Sequence, residues 1–198
     1  MIEDQLLPSY DISDGVAVVV DADVPRTWDA LMGVDLIELG RQRPLIGMLG
    51  ALRALPELVG QLVHGEPPSR PPERITLRDM SALPREQGGW VLLSERPGEE
   101  IALGLVGKFW KPVIEYAQVP AEDFAAFSEP GFAKTVYALS LNPLDDGAGT
   151  LLSAVMRTAT TDESARRWFR RYWSLGVGSG AHVLASGLIE AARERAER

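Results

Sequence analysis

Cysteine is missing altogether from these 198 residues. That excludes disulfides, thiol nucleophiles, cysteine-ligated zinc and iron–sulfur clusters together. Histidine is nearly absent as well: His64 and His182 are the whole supply. Two separated histidines cannot build a multi-histidine metal centre, and no D-x-D-x-D-G run offers a calcium loop. No metal and no cofactor are therefore expected. Long uncharged runs are also lacking. Met1 to Asp14 is polar and acidic, so no signal peptide is expected. The most apolar stretch, Pro44 to Val63, carries Arg53, Pro56 and Glu57, whereas a membrane span needs ~20 nearly uncharged residues. A soluble, cytoplasmic protein is the expectation.

What is present is apolar bulk and acid. Hydrophobic residues make up 45% of the chain, enough for the core of one domain over residues 1–198. The net charge of −8 is uneven: from Asp162 onward the balance is +2, which leaves −10 on the rest. An acidic body repels phosphate backbones, so no nucleic-acid partner is expected. Arg166-Arg167 and Arg170-Arg171 fall opposite the Trp168/Phe169/Tyr172 face and read as a solvated helix surface.

The order of elements is informative. After an N-terminal extension, 1–14, Gly15 to Asp21 is a β-branched run of strand length. Asp23-Val24-Pro25 opens a helix with Trp28 and Leu31 on its apolar stripe. Leu45 to Val63 reads as a second helix, kinked or divided at Pro56. Strands are expected at Arg74–Ser81, Trp90–Arg96, Glu100–Gly107, Val113–Val119, Lys134–Leu141 and Thr150–Thr160, with a helical turn or two over Pro120–Phe127. From Thr160 to Arg198 the apolar residues recur at three and four, and Thr160…Glu163 fits a capping box. A largely antiparallel sheet needs a cover, and the last helix is the only element long enough. The expected fold is α+β, a helix-grip arrangement in which a curved antiparallel sheet wraps a long C-terminal helix.

The residues Val18-Val-Val-Asp-Ala-Asp-Val-Pro-Arg-Thr-Trp28, with Leu93-Ser-Glu-Arg-Pro-Gly-Glu-Glu100, Gly104-Leu-Val-Gly-Lys-Phe-Trp110 and Arg166-Arg-Trp-Phe-Arg-Arg-Tyr-Trp173, give the chain a family look. It resembles the START-like (SRPBCC) superfamily, which includes polyketide cyclase-related proteins, in a bacterial branch without assigned chemistry. The resemblance implies the helix-grip fold and a cavity between sheet and helix. It does not imply one activity, because this scaffold hosts carriers, receptors and cyclases. Where relatives of this branch carry Glu-Thr-Arg in the last strand, this chain has Val155-Met156-Arg157.

Three functional readings stay open. The first is a non-catalytic binder of a small hydrophobic or amphipathic molecule, lipid- or polyketide-like. Its cavity would be bordered by Trp28, Leu49, Leu52, Trp110, Glu115, Tyr137, Met156, Trp173, Val177 and Gly180, with the Leu45–Val63 stretch as wall or lid. The glycines of Gly176-x-Gly-x-Gly180 cost helix stability, ~1 kcal/mol each, and space for a ligand or the close approach of a strand is a reason to keep them. The second is a cyclase- or dehydratase-type enzyme on a polyketide-like carbonyl substrate, using Glu115, Tyr116 or Arg157. Strand side chains alternate, so one of Glu115 and Tyr116 faces inward. A carboxyl inside an apolar cavity would have a raised pKa; otherwise Glu115 faces solvent and Tyr116 is core. The third is an interaction protein whose cavity is filled by its own side chains. His64 and His182 are read as structural or surface residues, since no G-x-S-x-G elbow accompanies them.

Overall fold

The computed structural model of the protein describes residues 2–44, 46–48, 73–82, 90–145 and 149–198. Most of the Leu45–Val63 expectation, with Leu49, Leu52 and the proposed lid, lies outside the described residues, as does His64.

Five antiparallel strands form one sheet: β1 (Ile12–Val20), β2 (Val91–Arg96), β3 (Glu100–Gly107), β4 (Ala133–Pro143) and β5 (Thr150–Thr160), in the order β1-β5-β4-β3-β2. Two hairpins, β2–β3 and β4–β5, supply most of it, and β1 adds to the free edge of β5. The helices that accompany the sheet include α1 (Ile2–Leu6), α2 (Val24–Met32), α3 (Leu36–Gln42), α4 (Leu77–Met80), α5 (Glu163–Tyr172) and α6 (Gly178–Ala196), and a 3-10 turn at Ala121–Asp123 falls within the expected helical stretch Pro120–Phe127. A π-type segment, Trp173–Val177, joins α5 to α6. This is the expected α+β helix-grip arrangement.

Strand alternation sends two sets of side chains to two faces. On the inner face Val20, Ile101, Leu139, Leu152 and Ala154 meet Trp28 and Leu31 of α2 and Ala185, Leu188, Ile189 and Ala192 of α6. On the outer face Ala102, Val106, Val136 and Ala138 are covered by Ile2 of α1, by Leu7 directly after it, and by Val119 and Phe124. The sheet is therefore buried on both sides, and α1 is part of that second core instead of a loose extension. A third cluster, Phe109, Ala133 and Phe169, sits under α5.

Several boundaries differ from the sequence reading. Arg74–Ser81 is not a strand: α4 forms there because the Asp79 carboxylate accepts from both the amide and the hydroxyl of Thr76, at 2.8 and 2.7 Å. Val113–Val119 makes only a bridge, Tyr116 to Gly107, beyond the end of β2. The pairing is confined to Lys108 N to Glu115 O and Ala117 N to Val106 O, because β2 and β4 already occupy most of both edges of β3. The N-cap of α5 is Asp162, whose carboxylate accepts from Ala165 N at 2.8 Å. Thr160 is the last residue of β5, and its hydroxyl donates to Asp11.

The final helix is broken. Leu175 and Gly176 leave helical geometry, Gly176 with φ 99°. By length and composition alone the stretch Glu163–Ala196 could cross a membrane, yet its α6 half packs on α2 and β1. Of the expected Trp168/Phe169/Tyr172 face, Phe169 is 2% exposed while Trp168 is 52% exposed and lies beneath the Arg171 guanidinium. One face of a helix spans about 100°, and Phe169 takes its centre.

Candidate functional site: a cleft at the helix break

The inward stripe of β1 reads Ile12, Asp14, Val16, Val18 and Val20, so a carboxylate interrupts an otherwise apolar set. Register places Asp14 opposite Met156 of β5, Met156 opposite Tyr137 of β4, and Tyr137 opposite Leu103 of β3. Directly opposed residues of antiparallel strands share a face, so these four form one row across the inner side of the sheet. Tyr137 stacks at 6.4 Å from the Trp90 ring. Burial, with Asp14 adding to it, pushes the Tyr137 phenol well above its ordinary pKa. The phenol is thus a neutral hydrogen-bond donor and not a base.

Above this row the helix break opens a cleft of about 380 Å³ between β1 and α6, lined by Ser13, Asp14, Trp173, Ser179, His182 and Val183, with Gly178 beneath the indole. His182 Nδ1 lies 3.1 and 3.2 Å from the two oxygens of Asp14. An ionised carboxylate only accepts, so the proton of a neutral ring sits on Nδ1 and Nε2 is left as an acceptor. Trp173 forms the aromatic wall, its ring 5.8 Å from that of Phe169. It folds back on its own helix because position 178 has no side chain: a Cβ there would stand 2.6 Å from Trp173 Nε1. The cleft lies where the first and third cores meet, with Val183 and Tyr137 packed on one and Trp173 on the other.

The residues singled out in the sequence fall in different places. Trp173 lines the cleft, Tyr137 and Met156 lie in the row that includes Asp14, and Val177 and Gly180 are half-buried on the helix. Trp28 is a core residue of α2 at 6% exposure. Trp110 and Tyr116 pack against the third core.

Glu115 requires a correction. Its carboxylate is half-exposed and pairs with Lys108 Nζ at 2.7 Å and with Lys111 Nζ. The hydrogen bonds from the two ammonium groups lower its pKa to about 2. A cavity acid with a raised pKa is therefore not what this side chain is. Arg157 is also corrected. It sits on the outer face of the sheet, where it pairs with Asp4 Oδ1 at 2.8 Å and covers the Tyr10 ring at 4.6 Å. Strand parity decides this, because Met156 and Arg157 must point to opposite faces.

Sequence reasoning gave Asp14 no role and read His182 as a structural or surface residue. They lie 168 positions apart, so no local pattern links them. The only signal was a carboxylate inside a β-branched stripe.

No family model and no curated protein matches the chain. Among solved structures it is similar to CalU16 from Micromonospora echinospora, at 15% identity, 93% of this chain, 83% of that one and a TM-score of 0.30. It is also similar to CV1439 from Chromobacterium violaceum, at 14% identity, 88% of this chain, 95% of that one and a TM-score of 0.31.

Proposed function

We propose that the protein binds a small hydrophobic or amphipathic molecule between the inner face of its sheet and its broken C-terminal helix. One observation carries this reading: the cleft sets an indole wall, Trp173, beside the hydrogen-bonded pair Asp14–His182, with the small hydroxyls of Ser13 and Ser179 completing its lining. Small-molecule sites are concave and mostly apolar, with a few placed polar groups, and roughly 300–1,000 Å³ in volume. A molecule with an apolar body and one hydroxyl or amide donor matches that description. The body meets Trp173 and Val183, and the donor meets His182 Nε2.

A second reading, proton transfer on a polyketide-like carbonyl substrate, is favoured by a different feature of the same pair. Asp14 holds the His182 ring through Nδ1, so that a neutral ring presents Nε2 as an acceptor, the arrangement of an oriented general base. On this reading His182 takes the acid–base role for which the sequence offered Glu115, Tyr116 or Arg157.

Titration of the labelled full chain with the neutral probe N-phenyl-1-naphthylamine tests the binding site. Amide shifts should concentrate at Ser13, Ser179, His182 and Val183, and a folded Ser179→Trp variant should lose them. Probe binding that survives Ser179→Trp unchanged, or that leaves those amides unmoved, removes the cleft as the ligand site.

A further inference from the structure

The outer face of the sheet carries a second cleft, of about 450 Å³, between α1 with the residues after it and the loop that follows Phe124. Lys134 of β4 points into it. The alternation that sends Val136 and Ala138 to the outer core also sends Lys134 there, so an ammonium stands at the end of an apolar stripe. Its register partner on β5 is Ala159, whose small side chain leaves the space beside the lysine open. Leu6, Leu7, Pro8 and Phe127 supply apolar walls.

The bonding of this lysine is unusual for the protein. Lys108 and Lys111, the only other lysines, both pair with the Glu115 carboxylate. Lys134 Nζ donates instead to two backbone carbonyls, Ala125 O at 2.6 Å and Phe124 O at 3.5 Å. Burial alone acts on its pKa, pushing it down, with no carboxylate to offset the effect. A partly desolvated cation is ordinarily paired with an anion. Here two neutral acceptors take two of its three protons, and the third has no acceptor among the described residues.

We propose that this outer cleft is a second binding site, for a small amphipathic carboxylate whose head meets the Lys134 ammonium and whose tail lies along Leu6, Leu7 and Phe127. The ligand supplies the counter-charge that the described residues do not. Thr160 and Thr161 at the rim are already committed, to Asp11 and to the Phe132 carbonyl. The lysine is therefore the group that distinguishes an anionic head from a neutral one. This site is separated from the inner cleft by the sheet itself, and it stands whether or not the inner cleft binds anything.

The test uses the isotopically labelled full chain, titrated in parallel with decanoate and with decanol below their aggregation limits. Decanoate should bind about tenfold more tightly than decanol, the size expected of one charge-assisted hydrogen bond. Its amide shifts should fall at Leu6, Leu7, Ala125 and Ala159. Lys134→Met should abolish the preference, and Lys134→Arg should keep it. Ala159→Leu, which fills the cleft and leaves the lysine in place, should weaken both ligands. If Lys134→Met does not fold, the Arg and Leu variants decide the matter. Equal binding of the two ligands by the natural protein overturns the proposal. So does a preference that persists in Lys134→Met or an affinity indifferent to Ala159→Leu. Shifts confined to Trp173, Ser179 and His182 assign decanoate to the inner cleft and equally remove the outer one.

Discussion

Replacing Gly176 by alanine isolates the backbone term that holds the helix break open. The residue has φ 99° and ψ −4°, and an added Cβ meets nothing within 4 Å. Any effect is therefore conformational and not a clash. An L-residue held at positive φ costs about 1–2 kcal/mol. Alanine also restricts the unfolded chain, which returns about 0.4–1 kcal/mol. The net expectation is a loss near 1 kcal/mol. With a urea dependence of about 2 kcal/mol per molar, the unfolding midpoint should fall by roughly 0.5 M. Urea unfolding followed by tryptophan fluorescence and far-ultraviolet circular dichroism reads this directly. Ser179→Ala, an exposed position on the next turn, serves as the control, within about 0.5 kcal/mol of the natural protein. The competing outcome has the opposite sign. If Gly176 were simply a poor helix former, alanine would stabilise by about 1 kcal/mol, helical ellipticity would rise, and Trp173 would move with the straightened helix. A midpoint that rises would refute the claim that packing enforces the break.

Two further predictions rest on single contacts. Gly187 of α6 is buried where Ile46 approaches, and a Cβ there would stand 2.3 Å from Ile46 Cδ1. Gly187→Ala should therefore destabilise by no more than about 2 kcal/mol, because overpacking costs about 1–3 kcal/mol, alanine's helix propensity returns about 1 kcal/mol, and only the terminal methyl of Ile46 must give way. Ile46→Val in the same chain should recover part of the loss, and additive single and double variants in urea unfolding would contradict the contact. Glu115 should titrate at about pH 2 in the folded protein against an ordinary value of 4.5. A depressed carboxyl stabilises the fold above the ordinary value and loses that contribution as pH falls through the folded pKa. The salt-bridge contribution should thus be intact above about pH 4.5 and gone below about pH 2. Carboxyl-carbon NMR checks it, and Lys108→Met should move the midpoint upward; a native midpoint at 4.5 speaks against the pairing.

The sheet was largely legible because strand alternation is a local signal. Trp90–Arg96, Glu100–Gly107, Lys134–Leu141 and Thr150–Thr160 match β2 to β5 within a few residues. Val113–Val119 has the same β-branched composition yet forms one bridge, because its place depends on which edges of β3 are vacant, and composition does not encode that. Arg74–Ser81 was misread for a local reason: Thr76 and Asp79 form a helix start signal that alternation obscured. The sequence reading recognised a glycine-rich step and gave it to ligand space or to the close approach of a strand. The structure uses Gly176 for a left-handed turn and Gly178 for the close approach of Trp173. The polar half of the candidate site was the least legible part. Asp14 and His182 meet only through the pairing of β1 with β5 and the packing of α6 on β1.

The antiparallel pairing of β1 with β5 also sets a schedule for synthesis. Asp11 is 149 positions from Thr160, whose amide and hydroxyl it accepts. A ribosome adding roughly 5–20 residues per second takes on the order of ten seconds to cover that interval. Throughout that time Val16, Val18 and Val20 have emerged with neither their hydrogen-bonding neighbour nor the helix that covers them. The β2–β3 and β4–β5 hairpins can close from local contacts, whereas β1 has to wait for β5 before it can pair. During that wait the nascent chain presents a bare β-branched strand, a template for pairing with another molecule. The interrupted stripe at Asp14 then has a use unrelated to any ligand: a charge near the start of that strand discourages premature pairing with copies of itself.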